Sequence, residues 1–206
     1  LIENGSDVTI ISKIGSFTLV DYQNEGALED TGWTVRDSGM TLRLAGDITI
    51  DHFTADNVVV TISNLRDIDG NSVAADVTPY AGGKITSVDW NINSTDMTLV
   101  TYGAILITDD VTITNTNTAD GHNDISIKSW TGGLTVIDDN IVYNPDYSFF
   151  TVEDAKVTAE VAKDITIDHL GASGAQLTLS SLTGEAGTSV AADATPVLGG
   201  KITSVD

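Results

Sequence analysis

Five side chains have the type and spacing of calcium ligands. Asp67, Asp69 and Asn71 in the stretch RDIDGNS are spaced like the first three ligands of a calcium loop, and the glycine between the last two allows a tight turn. No Glu follows at the distance that such a loop requires, so an ordinary Asp-Gly turn is the alternative. In NTADGHND, Asp120 and Asp124 could hold a cation between neighbouring loops. Calcium is the one cofactor that the sequence suggests.

Two of the three histidines follow the same motif. His52 ends GDITIDH and His169 ends KDITIDH, whereas His122 stands apart. An adjacent Asp-His pair is a candidate for acid-base chemistry. The chain has no G-x-S-x-G nucleophile motif, no glycine pattern for phosphate or dinucleotide binding and no zinc spacing. We therefore predict that these histidines end strands at turns, that there are no catalytic residues and that the chain is not an enzyme.

Aromatic residues are scarce, at 6% of the chain. The conspicuous ones are Trp33, Trp90 and Trp130, and a cluster YNPDYSFF that begins at Tyr143. Paired carboxylates suit glycoside hydrolysis, but a polysaccharide groove also needs aromatic or basic side chains, and the chain has only three arginines. We expect the aromatic cluster to be a buried edge or cap of the fold, with a carbohydrate or partner contact as the alternative.

The charge balance limits the classes of partner. The chain of 206 residues carries 30 acidic and 9 basic residues, a net charge of −21. We therefore expect neither nucleic acid nor anionic lipid as a partner, because both are bound through clustered Lys and Arg. There is no cysteine for a disulfide framework, and no apolar run approaches the roughly 20 residues of a membrane span. Two glycosylation sequons, at Asn4 and Asn93, hint at an exported surface.

One long internal repeat organises the chain. With an offset of 117 positions and no gaps, residues 1–89 match residues 118–206, and 37 of these 89 positions are identical. We predict a first repeat unit at residues 1–117 and a second, incomplete unit at residues 118–206, cut from a longer array. Such a repeat must be recognised before the fold is predicted, since stacked units bury each other's hydrophobic faces.

The elements of each repeat are predicted to be short strands. Apolar residues alternate with Thr, Ser and Asp, so that Ile48 and Ile50 of GDITIDH should point into a core. In segments that begin at Met40, Met97 and Val157, an apolar-Thr-apolar triplet is followed eight residues later by another alternating triplet. This rhythm suggests six coils of about 19 to 20 residues in each 117-residue period. About ten coils would then form a rod about 50 Å long.

These segments resemble the coils of filamentous haemagglutinin-like exoproteins. The resemblance rests on MTLRLAGDITID, VTAEVAKDITID and MTLVTYGAILITD, and it implies an all-β, right-handed parallel β-helix. The family also implies a secreted or surface-exposed fibre that serves adhesion or matrix building. Tandem immunoglobulin-like β-sandwich modules, as in giant adhesins, are the alternative, because 117 residues is a natural size for one such domain and GGKITSVD, which occurs twice, could be a domain-edge strand.

The predicted function follows from this repetitive architecture. We expect a non-catalytic structural or adhesive fibre at the cell surface, whose partners are neighbouring repeats, copies of itself, surface glycans or cell receptors. A self-assembling filament or surface-layer subunit is one alternative. A carbohydrate-active β-helix of the lyase or tailspike kind is another, and it requires Asp or Glu beside aromatics on one face.

Overall fold

The computed structural model describes residues 1–3, 5, 7–19, 33–117, 124–137 and 150–205, which contain strands and no helix. The strands are β1 (Val8–Ile11), β2 (Phe17–Leu19), β3 (Trp33–Arg36), β4 (Gly39–Arg43), β5 (Ile48–Asp56), β6 (Val59–Arg66), β7 (Ser72–Val73), β8 (Ala81–Gly82), β9 (Ile85–Asn93), β10 (Asp96–Thr101), β11 (Ile105–Thr114), β12 (Asp124–Ser129), β13 (Leu134–Ile137), β14 (Phe150–Glu153), β15 (Lys156–Val161), β16 (Ile165–Asp168), β17 (Leu170–Ser173), β18 (Gln176–Thr183), β19 (Leu198–Gly199) and β20 (Ile202–Val205). The predicted all-β class is therefore confirmed. Within these residues, no helix is long and apolar enough to cross a membrane.

The strands form two sheets in which nearly all neighbours run parallel. The first sheet has the order β1, β4, β6, β10, β12, β15, β18, and the second has the order β2, β5, β9, β11, β13, β16, β20. In the second sheet, β3 also pairs with the later half of β5, β14 pairs with the later half of β11, and β17 pairs with β14. Among the described strands, only β7, β8 and β19 pair antiparallel, at the ends of β6 and β18. Immunoglobulin-like sandwiches are built from antiparallel sheets, so this pairing disagrees with the sandwich alternative.

The chain passes through both sheets repeatedly, and we call each pass a rung. A rung is one strand of the first sheet followed by one or two segments of the second. Successive rungs are aligned in register through a column of inward side chains: Val8, Met40, Val60, Met97, Ile125, Val157 and Leu177.

The rung lengths correct the expected number of coils. Along this column the spacings are 32, 20, 37 and 28 residues before the 117-residue period begins again, so the period holds four rungs rather than six. The eight-residue rhythm separates two strands of the same rung, such as β4 and β5, and not two rungs. Seven rungs at about 4.8 Å extend about 29 Å from the first to the last, which replaces the expected 50 Å.

The core lies between the two sheets and is filled by the alternating apolar residues. Ile48 and Ile50 are fully buried, as the alternation predicts, and the same holds for Ile165 and Ile167 in the second copy. Trp33, Phe53 and Trp90 lie in successive rungs and contact each other edge to face, with ring centroids 6.3 and 6.1 Å apart. Trp33 and Trp90 are therefore core residues and not a carbohydrate platform. Residues 143–149 of the cluster that begins at Tyr143 lie outside the described residues. Its last residue, Phe150, is described and is buried.

We call the positions where a rung changes direction between two paired segments its corners. The backbone at these corners accounts for the histidine of the repeated motif. His52 and His169 both have a positive φ, which residues other than glycine seldom adopt and which Asn, Asp and His tolerate best. His169 follows the end of β16, as predicted, whereas His52 lies inside β5, where the ladder to β9 skips one residue; the prediction that His52 ends a strand is therefore wrong. The other corner residues of this kind are Asp37, Asn57, Asp89, Ser94, Asp109 and Asp154.

Candidate functional site: a polar cleft at one corner of the second sheet

A cleft lies where three neighbouring strands of the second sheet turn the same corner. Strands β5, β9 and β11 pair in parallel, and their ladders are interrupted at His52, at Asp89 and at Asp109 with Asp110. Since equivalent corners of adjacent rungs lie about 4.8 Å apart, the stacking brings together side chains that are 37 and 21 residues apart in sequence. The cleft has a volume of about 260 Å³.

A histidine and an aspartate form the centre of this cleft. His52 Nε2 lies 3.0 Å from Asp89 Oδ2, and the other oxygen of the same carboxylate accepts a hydrogen bond of 3.0 Å from the backbone N–H of Asp110. The two side chains are 21% and 37% exposed, so solvent weakens their attraction. The partner of His52 is therefore Asp89 of the next rung, whereas the sequence motif suggested Asp51.

The cleft is lined further by polar residues and by the buried aromatic residues Phe53 and Trp90. Thr54, Asn91 and Thr112 occupy one outward-facing column on successive rungs, and their side chains flank the His52–Asp89 pair. Such a surface offers carboxylate, amide and hydroxyl groups to a polar ligand, but it provides no activated nucleophile. His169 occupies the equivalent corner in the second copy, and the equivalent of Asp89 there is Asp206, which lies outside the described residues.

The first calcium hypothesis falls on an exposed hairpin tip. The Asp67 carboxylate accepts hydrogen bonds from the backbone N–H of Asn71, at 2.8 Å, and from its side-chain amide, at 3.5 Å. Asp69 is exposed, and the intervening glycine has a φ of 83°. These are the contacts of an Asx-type turn. They bring Asp67 and Asn71 together without a third ligand, and calcium binding at this tip stays a prediction.

The second calcium hypothesis is described only in part. Asp124 lies at the start of β12, where its carboxylate is 3.3 Å from Lys156 Nζ and its backbone N–H donates to Asp96 at 3.2 Å. Asp120 lies outside the described residues. In the part of the chain that the structure describes, no three His, Cys, Asp or Glu side chains converge as a metal site.

Two aspartates that the sequence repeats have a role that the motif alone does not reveal. Asp47 Oδ1 accepts a hydrogen bond of 2.9 Å from the backbone N–H of Lys84, and Asp164 Oδ1 accepts one of 2.8 Å from Lys201. Each bond joins one rung to the next at the same corner of the repeat. The first Asp of each DITID motif is therefore a connection between rungs, and its signal in the sequence is its recurrence at the 117-residue offset.

Asn93 connects three rungs in a similar way. Its amide donates to Asp56 at 2.8 Å, and its oxygen accepts from the hydroxyls of Thr114 and Thr116 at 3.2 and 3.0 Å. This partly buried side chain is committed to the stack, so the folded chain does not offer the Asn93 sequon for glycosylation. Asn4 is not among the described residues.

Comparison with known proteins adds no relative. No protein-family model, no curated protein and no solved structure gives a significant match to the chain. The resemblance to filamentous haemagglutinin-like exoproteins therefore stays a prediction from the sequence.

Proposed function

We propose that the chain is a non-catalytic segment of an extracellular fibre, built as a right-handed parallel β-helix. One observation carries this proposal: parallel pairing runs in unbroken register from β1 to β18, across the junction between the two repeats. Right-handed crossovers are nearly universal for parallel strands, which supports the proposed hand. An array of such repeats lengthens by adding rungs without adding a hinge.

The contacts between rungs suit a mechanical role. Side-chain hydrogen bonds join neighbouring rungs in addition to the backbone ladders. The Thr101 hydroxyl donates to the Gly83 carbonyl at 2.8 Å, and the Ser129 hydroxyl donates to the Gly103 carbonyl at 2.7 Å. These hydroxyls are buried, so separating two rungs would break their hydrogen bonds and expose apolar surface to water. Resistance to separation along the stack is the property that a fibre needs.

Adhesive specificity would reside in the segments that leave the rungs. The hairpin formed by the end of β6, β7 and β8 projects from the third rung and exposes Ile68 and Tyr80. Its counterpart near β19 exposes Val197 and Leu198 at the equivalent place in the second copy. Loops held on a rigid scaffold are the usual location of binding residues. The acidic surface would keep parallel fibres apart.

Single-molecule force spectroscopy tests this function. A chain pulled by its two ends should lose one rung at a time, so the extension should grow in steps set by the rung lengths. At about 3.5 Å per residue, rungs of 20 and 37 residues would release about 70 and about 130 Å. All-or-none steps of about 350 Å, the size of a domain of roughly 100 residues, would refute a stack of rungs.

A carbohydrate-active β-helix is the second candidate function. It is favoured by the cleft at the corner of the second sheet, where the His52–Asp89 pair faces hydroxyl and amide side chains. The test is a reducing-end assay on acidic and neutral polysaccharides with the chain and with the variant Asp89→Asn. Activity that the variant lacks would establish this candidate, and equal release by both would reject it.

A further inference from the structure

We propose that the outward face of the second sheet binds ice. The inference goes beyond the proposed fibre and concerns side chains in the second to the sixth rung, counted from the rung that begins with β1. These side chains form two columns, which together we call the ice face: Thr49, Thr86, Leu106, Thr135 and Thr166 in the first column, and Val88, Thr108 and Ile137 in the second.

The strand pairing arranges these side chains on a regular net. Thr86 pairs with Leu106 and Val88 pairs with Thr108, so neighbours within a column are about 4.8 Å apart. The two columns are separated by two residues along each strand, which is about 6.6 Å. The oxygen atoms on a prism face of ice repeat in two perpendicular directions at distances close to these. A layer of lattice water can therefore follow the net over several rungs.

The net is held in place by the fold. Thr86 is partly exposed and points outward, because its neighbours Ile85 and Ser87 are 1% and 0% exposed and point into the core. The other residues of the first column have the same setting. Each strand that carries the ice face has a parallel neighbour on both sides. The side chains are therefore preorganised, and binding to a lattice orders little that is not already ordered.

The hydroxyl groups of the ice face are not used by the protein itself. At the corners, Thr101 and Ser129 donate their hydroxyls to carbonyl groups of the neighbouring rung. In the part of the chain that the structure describes, the hydroxyls of Thr49, Thr86 and Thr135 make no hydrogen bond. Thr is common on strands and can join strands through its hydroxyl, but these hydroxyls join none. Each can take the place of a lattice water, with its methyl group between neighbouring waters.

Charged groups are confined to the rim of the ice face. In its three central rungs the second column consists of Val, Thr and Ile, and carboxylates enter that column only with Asp51 and Asp168 in the rungs at either end. Beyond the first column, Asp47 and Lys84 lie at the corner before the strands begin. The centre of the net therefore holds methyl and hydroxyl groups and no ion that would orient water around itself.

The first sheet lacks this property although it also carries hydroxyls. Its central outward column runs from Thr41 through Thr61 and Thr98 to Thr158, in register. Charged side chains lie in the columns on both sides of it: Arg43, Lys128 and Glu160 on one side, and Asp96, Asp124 and Lys156 on the other. Charged groups hold strongly oriented hydration water, which does not fit an ice lattice. The structure therefore assigns ice binding to the second sheet.

The internal repeat preserves the first column of the ice face. Thr49 is equivalent to Thr166 at the offset of 117 residues, and Thr86 is equivalent to Thr203. Each further repeat would therefore lengthen the same net. Because many weak contacts on one rigid surface act together, adsorption to ice should strengthen with the number of rungs.

Ice growth in the presence of the chain tests the proposal. The parent chain should lower the temperature at which an ice crystal grows without lowering its melting point equally, and a fluorescently labelled chain should adsorb to the prism faces of a single crystal. Thr86→Lys and Thr166→Lys each place a charge in the net and should abolish both effects. The matched controls are Thr61→Lys and Thr158→Lys, which lie outward on the first sheet in the same two rungs and should behave like the parent chain.

The four variants separate a specific face from a general effect of charge. Each changes the net charge of −21 by one unit in the same direction, so only position distinguishes them. Circular dichroism would show whether each folds, and Thr135→Lys replaces an ice-face variant that does not. A parent chain without adsorption and without a gap between growth and melting temperatures would overturn the proposal, as would equal losses on the two sheets. Stepwise unfolding under force tests the fibre separately and does not depend on this outcome.

Discussion

Two consecutive buried hydrogen bonds that start at the Trp90 indole, which we call the relay, give the sharpest prediction about stability. The Trp90 indole N–H donates to the Ser87 hydroxyl at 2.6 Å, and that hydroxyl donates to the Ile50 carbonyl of the preceding rung at 2.6 Å. Ser87 is 0% exposed and Trp90 is 3% exposed, so water cannot replace the hydroxyl. Ser87→Ala therefore leaves the indole N–H without its partner, which should lower the free energy of unfolding by about 1–3 kcal/mol.

The chain provides its own control for this substitution. Ser204 is the equivalent residue in the second copy, and it is exposed, so Ser204→Ala should change the free energy of unfolding by less than about 0.5 kcal/mol. Trp90→Phe removes the indole donor, and in that background Ser87→Ala should cost less than it does in the parent chain. Urea denaturation of the four chains of this double-mutant cycle gives the coupling energy, expected at 0.5 kcal/mol or more, on the order found for contacting residues. A coupling of zero, or equal effects at Ser87 and Ser204, would refute the relay.

Three further outcomes follow from other contacts. Asp47→Ala should lower the free energy of unfolding by about 1 kcal/mol, because the Lys84 N–H loses its acceptor, while Asp69→Ala at the hairpin tip should have no measurable effect in the same urea titration. His52→Asn, which keeps a residue that tolerates the positive φ of this position, should lower the free energy of unfolding by less than about 1 kcal/mol because the His52–Asp89 pair is partly exposed, and a larger loss would mean that the pair is a structural anchor. Excess EDTA should shift the thermal midpoint by less than about 1 °C, because the Asp67 carboxylate is already engaged by Asn71, and a drop of several degrees would establish a structural calcium ion.

Local patterns predicted the elements of the fold well. The alternation in DITID fixes which side chains enter the core, since Ile48 and Ile50 can be buried together only in an extended strand. The offset of 117 residues also predicts where strands recur, because residues with the same inward pattern must fill the same columns. Strands β4 and β15, or β6 and β18, differ by that offset.

The sequence does not predict which strands of neighbouring rungs pair with each other. The spacing from Val60 to Met97 is 37 residues and that from Met40 to Val60 is 20, so no fixed period locates the neighbour of a given strand. For this reason the sequence offered Asp51 as the partner of His52, whereas stacking supplies Asp89. The relay from Trp90 to Ile50 could not be predicted for the same reason, because it depends on the register of β5 with β9.

Small-angle X-ray scattering of a lengthened chain tests the continuous stack most directly. Asp206 is equivalent to Asp89, so a further copy of residues 90–206 can follow it in register and would add four rungs. At concentrations where both chains are monomeric, the maximum dimension should increase by about 19 Å and the cross-section should stay the same. A distance distribution with two separated lobes, or an enlarged cross-section, would contradict a single stack of rungs that runs across the repeats.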